Sequence, residues 1–510
     1  MLALALPGTD PVIAQKVETR PRAVVQWLDG LPYANPQQVA QQLLMALYAL
    51  NRHTLDGDDR AELLALYRPV VARMVDSLED QLGDTGLPPA PQQRQVGALL
   101  RELQIELGTG YKHVLQALAN RRIVRASSKR LAEAAARTLR AFHDVQFACH
   151  LTRVALPAGL WRETHQVYAY AQTAGVAYLE AGETLPPSAA YAQVLLLARA
   201  DPPHMSHAEL IHTRLYLGKY ARRTTVAAAP VAGHSGFSVP IEGDAAPSPI
   251  AGPAREALWL DTDVLCRHLE AVALHLRTGD TPRKIRLPDG MEAETTQILC
   301  GHLIKQWCAG PQRAFRRHTP DDASVTAVAG LGHIHRLLDP GPPPDADDLT
   351  PVVTPAPVAP GHWTVVNDSA AGLALRGTPD APLSLKVGDA LALQAPGTAD
   401  WSLGVIRWLR MRDAQAVEFG VERLSPKVEA VWVRPLQGHR ASQTEAALFV
   451  PGVAAMQQAD RLMLPRHVYQ LGIEAEVTHG PHRYLIVFGK RLDPTPSFDL
   501  IDFSIFEEAS

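Results

Sequence analysis

The sequence predicts an α+β multidomain chain: an all-α N-terminal helical bundle or array over 1–225, then an antiparallel β-barrel and a second β module. Three observations carry this. Apolar residues recur at helical spacing through 36–225, they alternate with polar ones in short runs from about 311, and Ala, Pro, Gly and Ser dominate 226–256 between the two regimes. A chain of 510 residues is also too long for one ordinary core.

The helical half is justified segment by segment. After Pro36, Val39, Leu43, Leu44, Leu47 and Leu50 fall on one stripe. Asp56 is placed as an N-cap for the next helix, which carries Leu63, Leu66, Val70, Val71, Met74 and Leu78. Similar stripes follow in 91–121, 127–153, 160–181, 188–200 and 206–222, and Trp161, His165, Tyr168 and Ala171 read as core. The breaks GDTGLPPAP, ALPAG, ETLPPS and ADPPHMS supply turns, and short connections favour antiparallel neighbours. The 226–256 stretch reads as a linker, and 257–310 as a helical connector with helices at 257–277 and 291–308.

Beyond 311, runs such as LSLKV, ALALQ, LGVIRWL, AVEFGVE and EAVWVRP read as strands bounded by Gly, Asp and Pro turns. They define a barrel over 311–436, interrupted by a proline-dense insertion at 339–361. A gapless match of 401–426 to 469–494 aligns Leu403 with Leu471, Gly404 with Gly472, Arg423 with Arg491, Leu424 with Leu492 and Pro426 with Pro494. It suggests a duplicated barrel, with 437–510 as a second, degenerate copy closed by the apolar tail 498–503.

Composition narrows the function classes. Hydrophobic residues are 46% and charged residues 20%, so the chain is globular, and a net charge of -4 predicts no general pull toward nucleic acid polymers or anionic membranes. The N-terminus lacks a basic region and Pro7 interrupts its apolar start, so no signal peptide is expected, and no apolar run is long enough to span a bilayer. A cytoplasmic location follows as the default. Cys149, Cys266, Cys300 and Cys308 suggest no disulfide framework, and the Cys-x-His spacings at 266–268 and 300–302 do not fit a zinc site. P-loop, nucleophile-elbow and dinucleotide fingerprints are missing, and acidic pairs such as Glu79–Asp80 and Asp321–Asp322 read as surface, so no catalytic residue or metal ligand is assigned.

Two constellations remain. One is Arg313, Arg316 and Arg317 in PQRAFRRHTP, with R-x-x-x-R spacing; the other is Asn367, Ser369 and Gly372, with N-x-S-x-x-G spacing ahead of an apolar strand. Arginine's planar fork matches both phosphate and the paired O6/N7 acceptors of guanine, while Asn and Ser can bond base edges and Gly permits close backbone approach. A basic loop, a strand, this turn, a Gly-Asp hairpin and a G-V-I-R-W strand leading to V-E-F-G-V-E together resemble a PilZ domain over 311–436. That family binds cyclic di-GMP on the outside of a six-stranded barrel. The resemblance implies that Arg313 and Arg317, with Arg316 beside them, grip phosphates and guanine edges. It likewise implies that Asn367, Ser369 and Gly372 hold a guanine. The sequence departs from the pattern in having Asn for the commoner Asp and 54 residues between 313 and 367, much of that being the proline-dense insertion.

The expectation is a non-enzymatic PilZ receptor or adaptor that needs no cofactor. Its ligand is cyclic di-GMP, its helical domain engages a protein partner, and its second barrel binds no nucleotide. The alternative is a structural scaffold of the same fold that is silent toward nucleotide.

Overall fold

Among the described residues, spacing at 3.6 residues becomes nine α-helices in the first half: α1 (Pro11–Ala14), α2 (Pro21–Asp29), α3 (Pro36–Asn51), α4 (Gly57–Leu82), α5 (Pro91–Ala119), α6 (Ser128–Leu151), α7 (Leu160–Thr173), α8 (Pro187–Arg199) and α9 (His207–Tyr220). The computed structural model describes all residues but 1, 15–16, 121–126, 249–256, 310–317, 320–322, 344–357, 379–383, 414, 438–442, 454–457 and 510. Asp56 caps α4 as expected, accepting from the Asp58 amide; Asn35 accepts from the Gln38 amide and Ser127 from that of Arg130 in the same way. At the end of α3, the buried Arg60 guanidinium donates to the carbonyls of Leu50 and His53, both at 2.8 Å, and so satisfies acceptors that the helix leaves over. Trp161, His165, Tyr168 and Ala171 are buried together, with His165 bonded to the Tyr191 hydroxyl at 2.7 Å.

Two compact units divide the chain. One comprises 1–84, 89–202 and 207–312; the other comprises 85–88, 203–206 and 313–510. In the first unit the expected linker is structured where it is described. β1 (Thr225–Ala227), β2 (Gly236–Pro240) and β3 (Ala257–Asp261) form a sheet in the order β1-β3-β2. Buried Phe237, Val239 and Leu260 give these short strands an apolar face. The helix expected from 257 therefore begins later, as α10 (Asp263–Arg277), followed by α11 (Ala293–Ile304). Cys266 on α10 is joined to Cys308 in a disulfide, a correction to the expectation of none. The chain brings α10 and the π-helical turn Lys305–Ala309 together across 42 residues, which local spacing does not reveal.

The second unit holds two closed six-stranded barrels. The first uses β4 (Ser324–Ala329), β5 (Gly361–Ser369), β6 (Gly372–Gly377), β7 (Ala390–Gln394), β8 (Ser402–Met411) and β9 (Val417–Ser425), in the order β4-β5-β6-β9-β8-β7. The second uses β10 (Glu429–Pro435), β11 (Glu445–Val450), β12 (Arg461–Pro465), β13 (Glu474–His479), β14 (His482–Pro494) and β15 (Phe498–Ala509), in the order β10-β11-β12-β15-β14-β13. Both orders run first, second, third, sixth, fifth, fourth, so the topology is duplicated. The sequence match is one strand out of step, however, because it lays β8 on β13 and β9 on β14, whereas topology pairs β8 with β14 and β9 with β15. The boundary expected at 436 also moves: the EAVWVRP strand is β10, paired with β11 and β13 in the second barrel.

Alternation explains how the barrels meet. Leu391 and Leu393 on β7 point into the first barrel with Trp363, Phe419 and Ile406, while Ala390 and Ala392 point outward. The outward residues are buried too, against Leu448, Val450, Met463, Phe498 and Leu500 of the second barrel. A short helix that the alternating pattern did not suggest, α12 (Leu331–Leu337), sends Ile334 into this shared core. On α12, the buried His335 ring meets Trp432 edge to face at 4.4 Å, with Nε2 3.0 Å from the Val431 carbonyl. Burial pushes its imidazole down to about 4. A histidine held neutral in the fold but titrating near 6.5 when unfolded contributes stability fully above about pH 6.5, and loses it as pH falls toward 4. Its share of the loss between pH 7.5 and 5 is roughly 2 kcal/mol. Urea denaturation at the two pH values should show a smaller drop for His335→Gln than for the unaltered chain; equal drops would remove this role.

Candidate ligand-binding site

Four neighbouring strands of the first barrel, β5, β6, β9 and β8, form the candidate surface. Their inward positions Val365, Leu373, Leu375, Phe419, Val421, Ile406 and Leu409 fill the core. Period-2 alternation then turns the residues between them outward. Asn367 pairs with Ala374, Ala374 with Gly420, and Gly420 with Trp408, so these four lie in one cross-strand row on the outer face. Register shifts after Val365 on β5 and after Ile406 on β8 are what align Asn367 and Trp408 with that row.

The small residues have a reason to be small. A Cβ on Gly420 would lie 1.8 Å from Trp408 Nε1, so the indole rests on the glycine. Arg410 is 5.4 Å from the indole centroid, at cation–π range, and the His204 ring is 6.4 Å away. The adjacent row is Thr364, Arg376, Glu418 and Arg410. Arg376 bonds Glu418 at 2.9 Å, and Arg410 bonds its other oxygen. Burial acts to raise the Glu418 carboxyl, but the bonds from Arg410 and Arg376 outweigh it and hold the group below the ordinary carboxylate range. Two half-exposed guanidiniums against one buried carboxylate leave this row with a net positive charge. Arg407, at the bulge, is held by Glu422 and Asp493.

The N-x-S-x-x-G segment is a β5–β6 hairpin. Ser369 Oγ donates to the Gly372 carbonyl at 2.9 Å, and the Ser369 amide donates to Asp368 Oδ1 at 2.7 Å. Arg423 reaches the same Asp368 oxygen at 2.9 Å. Gly372 is required by the barrel itself, since a Cβ there would lie 2.2 Å from the Val421 carbonyl oxygen. Gly372→Ala is therefore expected to lower the thermal midpoint even without ligand, and an unchanged midpoint would contradict the close approach.

Arg313, Arg316 and Arg317 lie outside the described residues. The residue after them, His318, is described and forms a two-bond antiparallel bridge with Asp368, each N–O distance being 2.8 Å. His318, 50 residues before Asp368 in sequence, is thereby tied to the hairpin. The site residues expected from the sequence did not include Trp408, Arg410 or Arg376. The available signal was Gly420 in VEFGVE, a strand glycine of the kind that marks close approach by another group. An aromatic platform, flanking guanidiniums and an amide at the end of the row suit a planar base attached to a negatively charged phosphate. Among the described residues, no group of three or more His, Cys, Asp or Glu is placed to hold a metal ion.

Comparison with known proteins matches three stretches of this chain to family models. Residues 22–230 match the family described as the N-terminal domain of cyclic-di-GMP receptor FimW, residues 358–429 its middle PilZ domain, and residues 431–506 its C-terminal β-barrel domain. The cyclic-di-GMP receptor FimW of Pseudomonas aeruginosa is 25% identical, over 98% of this chain and 93% of its own length. No solved structure matches the chain.

Proposed function

We propose, for a chain whose first barrel belongs to the PilZ domain family, that the protein is a receptor for cyclic di-GMP. The observation that carries this is the row Asn367, Ala374, Gly420 and Trp408 beside the His318–Asp368 bridge, into which the arginine-rich segment leads. In this reading Trp408 stacks on a guanine and Asn367 and Ser369 bond base edges. Arg313 and Arg317, with Arg316, take the phosphates and the O6/N7 edge. Gly372 contributes by letting the hairpin sit against β9. The Arg376–Glu418–Arg410 row supplies positive potential without a dedicated contact. Ligand binding orders the arginine segment against the hairpin, which is switching and not turnover, so no cofactor or catalytic group is needed. The helical unit passes the signal to a protein partner in the cytoplasm. Among the described residues, no helix is long and apolar enough to cross a membrane.

The test is calorimetric titration of the full chain with cyclic di-GMP. Saturable binding is expected, weakened at least tenfold by Arg313→Ala or Arg317→Ala, since charge-assisted bonds are worth about 1.5–3 kcal/mol. Arg→Lys at either position should be nearly as harmful, because the fork and not the charge alone is used. Absence of binding to the unaltered chain defeats the reading; unchanged affinity in the double Ala variant removes the assigned arginines.

A further inference from the structure

Three separate segments of the helical unit meet where Cys266 and Cys308 are joined. Cys266 lies in the first turn of α10 and is buried, while Cys308, in the turn Lys305–Ala309, is half-buried. Their Cα atoms are 5.7 Å apart, inside the range of about 4.4–6.8 Å that a disulfide requires. Bonds other than the disulfide set this spacing. The Thr262 hydroxyl, at the start of α10, donates to the Trp307 carbonyl at 3.0 Å, and the Ser235 hydroxyl donates to the Cys308 carbonyl at 3.0 Å. The Ser235 carbonyl in turn accepts from the Thr262 amide at 2.9 Å. The buried Trp307 donates its indole N–H to the Leu196 carbonyl, and the buried Leu265 and Leu269 anchor α10 in the core.

A disulfide on which a fold depends joins elements that nothing else holds together. Here the hydrogen bonds and the buried side chains keep turn and helix adjacent without it, so reduction leaves both sulfurs in place to re-form the bond. The cytoplasm keeps thiols reduced, and a disulfide formed there is usually transient and redox-sensing. Access sets the route of exchange. The thiolate of a small thiol, such as glutathione, attacks the half-buried Cys308 sulfur, forms a mixed disulfide there and releases Cys266 as its thiolate. A second thiolate attacks the small-molecule sulfur of that mixed disulfide, which forms the small disulfide and frees Cys308. In sum, the protein disulfide and two small thiols become two protein thiols and one small disulfide, and an excess of the small disulfide drives the reverse. The free Cys149 and Cys300, at 2% and 1% exposed, are shielded from this exchange.

We propose that Cys266 and Cys308 are a reversible dithiol–disulfide couple, which cross-links α10 to the turn under oxidising conditions and opens under reducing ones. Its setting rests on the cytoplasmic location proposed above, but the couple itself does not depend on nucleotide binding by the barrel. The test equilibrates the full chain in glutathione buffers, one rich in the disulfide and one in the thiol. Each sample is acid-quenched, unfolded, treated with N-ethylmaleimide and weighed intact by mass spectrometry. Two adducts are expected from the oxidising buffer, on Cys149 and Cys300, and four from the reducing one, with return to two on reoxidation. Helical dichroism should be equal in both states, and the thermal midpoint higher in the oxidised one, because the cross-link restricts the unfolded chain. Cys308→Ser should give three adducts and one midpoint in both buffers. If that variant fails to fold, the adduct counts of the unaltered chain decide. Two adducts in both buffers overturn the proposal, since the bond is then permanent, and four in both overturn it because the bond never forms. Loss of helical dichroism on reduction, or a stable glutathione adduct on Cys308 in place of the cross-link, overturns it as well.

Discussion

Trp408→Ala is expected to weaken cyclic di-GMP binding by about 5- to 150-fold, the range that stacking worth about 1–3 kcal/mol per base implies. The indole lies on the outside of the barrel, over Gly420 and beside Arg410, so its removal opens no cavity in the core. The loss should therefore appear in affinity with the far-ultraviolet dichroism and thermal midpoint nearly unchanged. Trp408→Phe should retain part of the binding, because a smaller π face remains. The complementary change, Gly420→Val, leaves the tryptophan in the chain but drives it off its seat, and should cost a comparable factor. Calorimetry showing Trp408→Ala equal to the unaltered chain would separate the row from the ligand and leave only the arginine segment and the hairpin.

That row marks the limit of what could be read from the sequence. The helices of the first half were legible because 3.6-residue spacing and caps such as Asp56 are local properties. Alternation likewise announced a β-rich C-terminal third. Which barrel a strand joins is not local. β10 alternates like its neighbours, and only its pairing with β11 and β13 assigns it to the second barrel. The repeat signal was one strand out for a similar reason: the Leu-Gly and Arg-Leu-x-Pro elements recur around the β8–β9 and β13–β14 hairpins, which hold different places in their barrels, and the strand order alone fixes the true equivalence. β1, β2 and β3 were hidden because three to five residues in an Ala- and Pro-rich stretch bury too little to leave a pattern.

The candidate site divides the same way. Asn367, Ser369 and Gly372 were visible as a spaced motif, and the structure places them in one hairpin. The reason for Gly372 was not visible, since it lies in the Val421 carbonyl across the sheet. Trp408 was hidden by the bulge at Arg407, which shifts the inward and outward assignment partway along β8. A strict alternation count from Val405 would have put residue 408 on the wrong face.

Leu87→Asp is expected to abolish the cooperative unfolding transition of the barrel unit, although residue 87 lies between two helices in sequence. The GDTGLPPAP stretch reads as a turn, yet residues 85–88 belong to the unit that holds the barrels. Leu87 exchanges two backbone hydrogen bonds with Leu385, both at 2.9 Å, and its side chain is 3% exposed in the core with Trp363, Leu375 and Phe419. The approach is tight enough that a Cβ on Gly86 would lie 2.0 Å from Ser384 Oγ. Truncating a buried leucine costs about 2–5 kcal/mol, which should show as a lower urea midpoint for Leu87→Ala. A carboxylate in the same place adds the cost of burying an unpaired charge, and a domain stable by about 5–15 kcal/mol has little margin for both. Leu87→Met conserves volume and should stay within about 1.5 kcal/mol of the unaltered chain, which separates packing from backbone pairing. If Leu87→Asp melts like the unaltered protein, the segment is a surface turn after all and the barrel core closes without it.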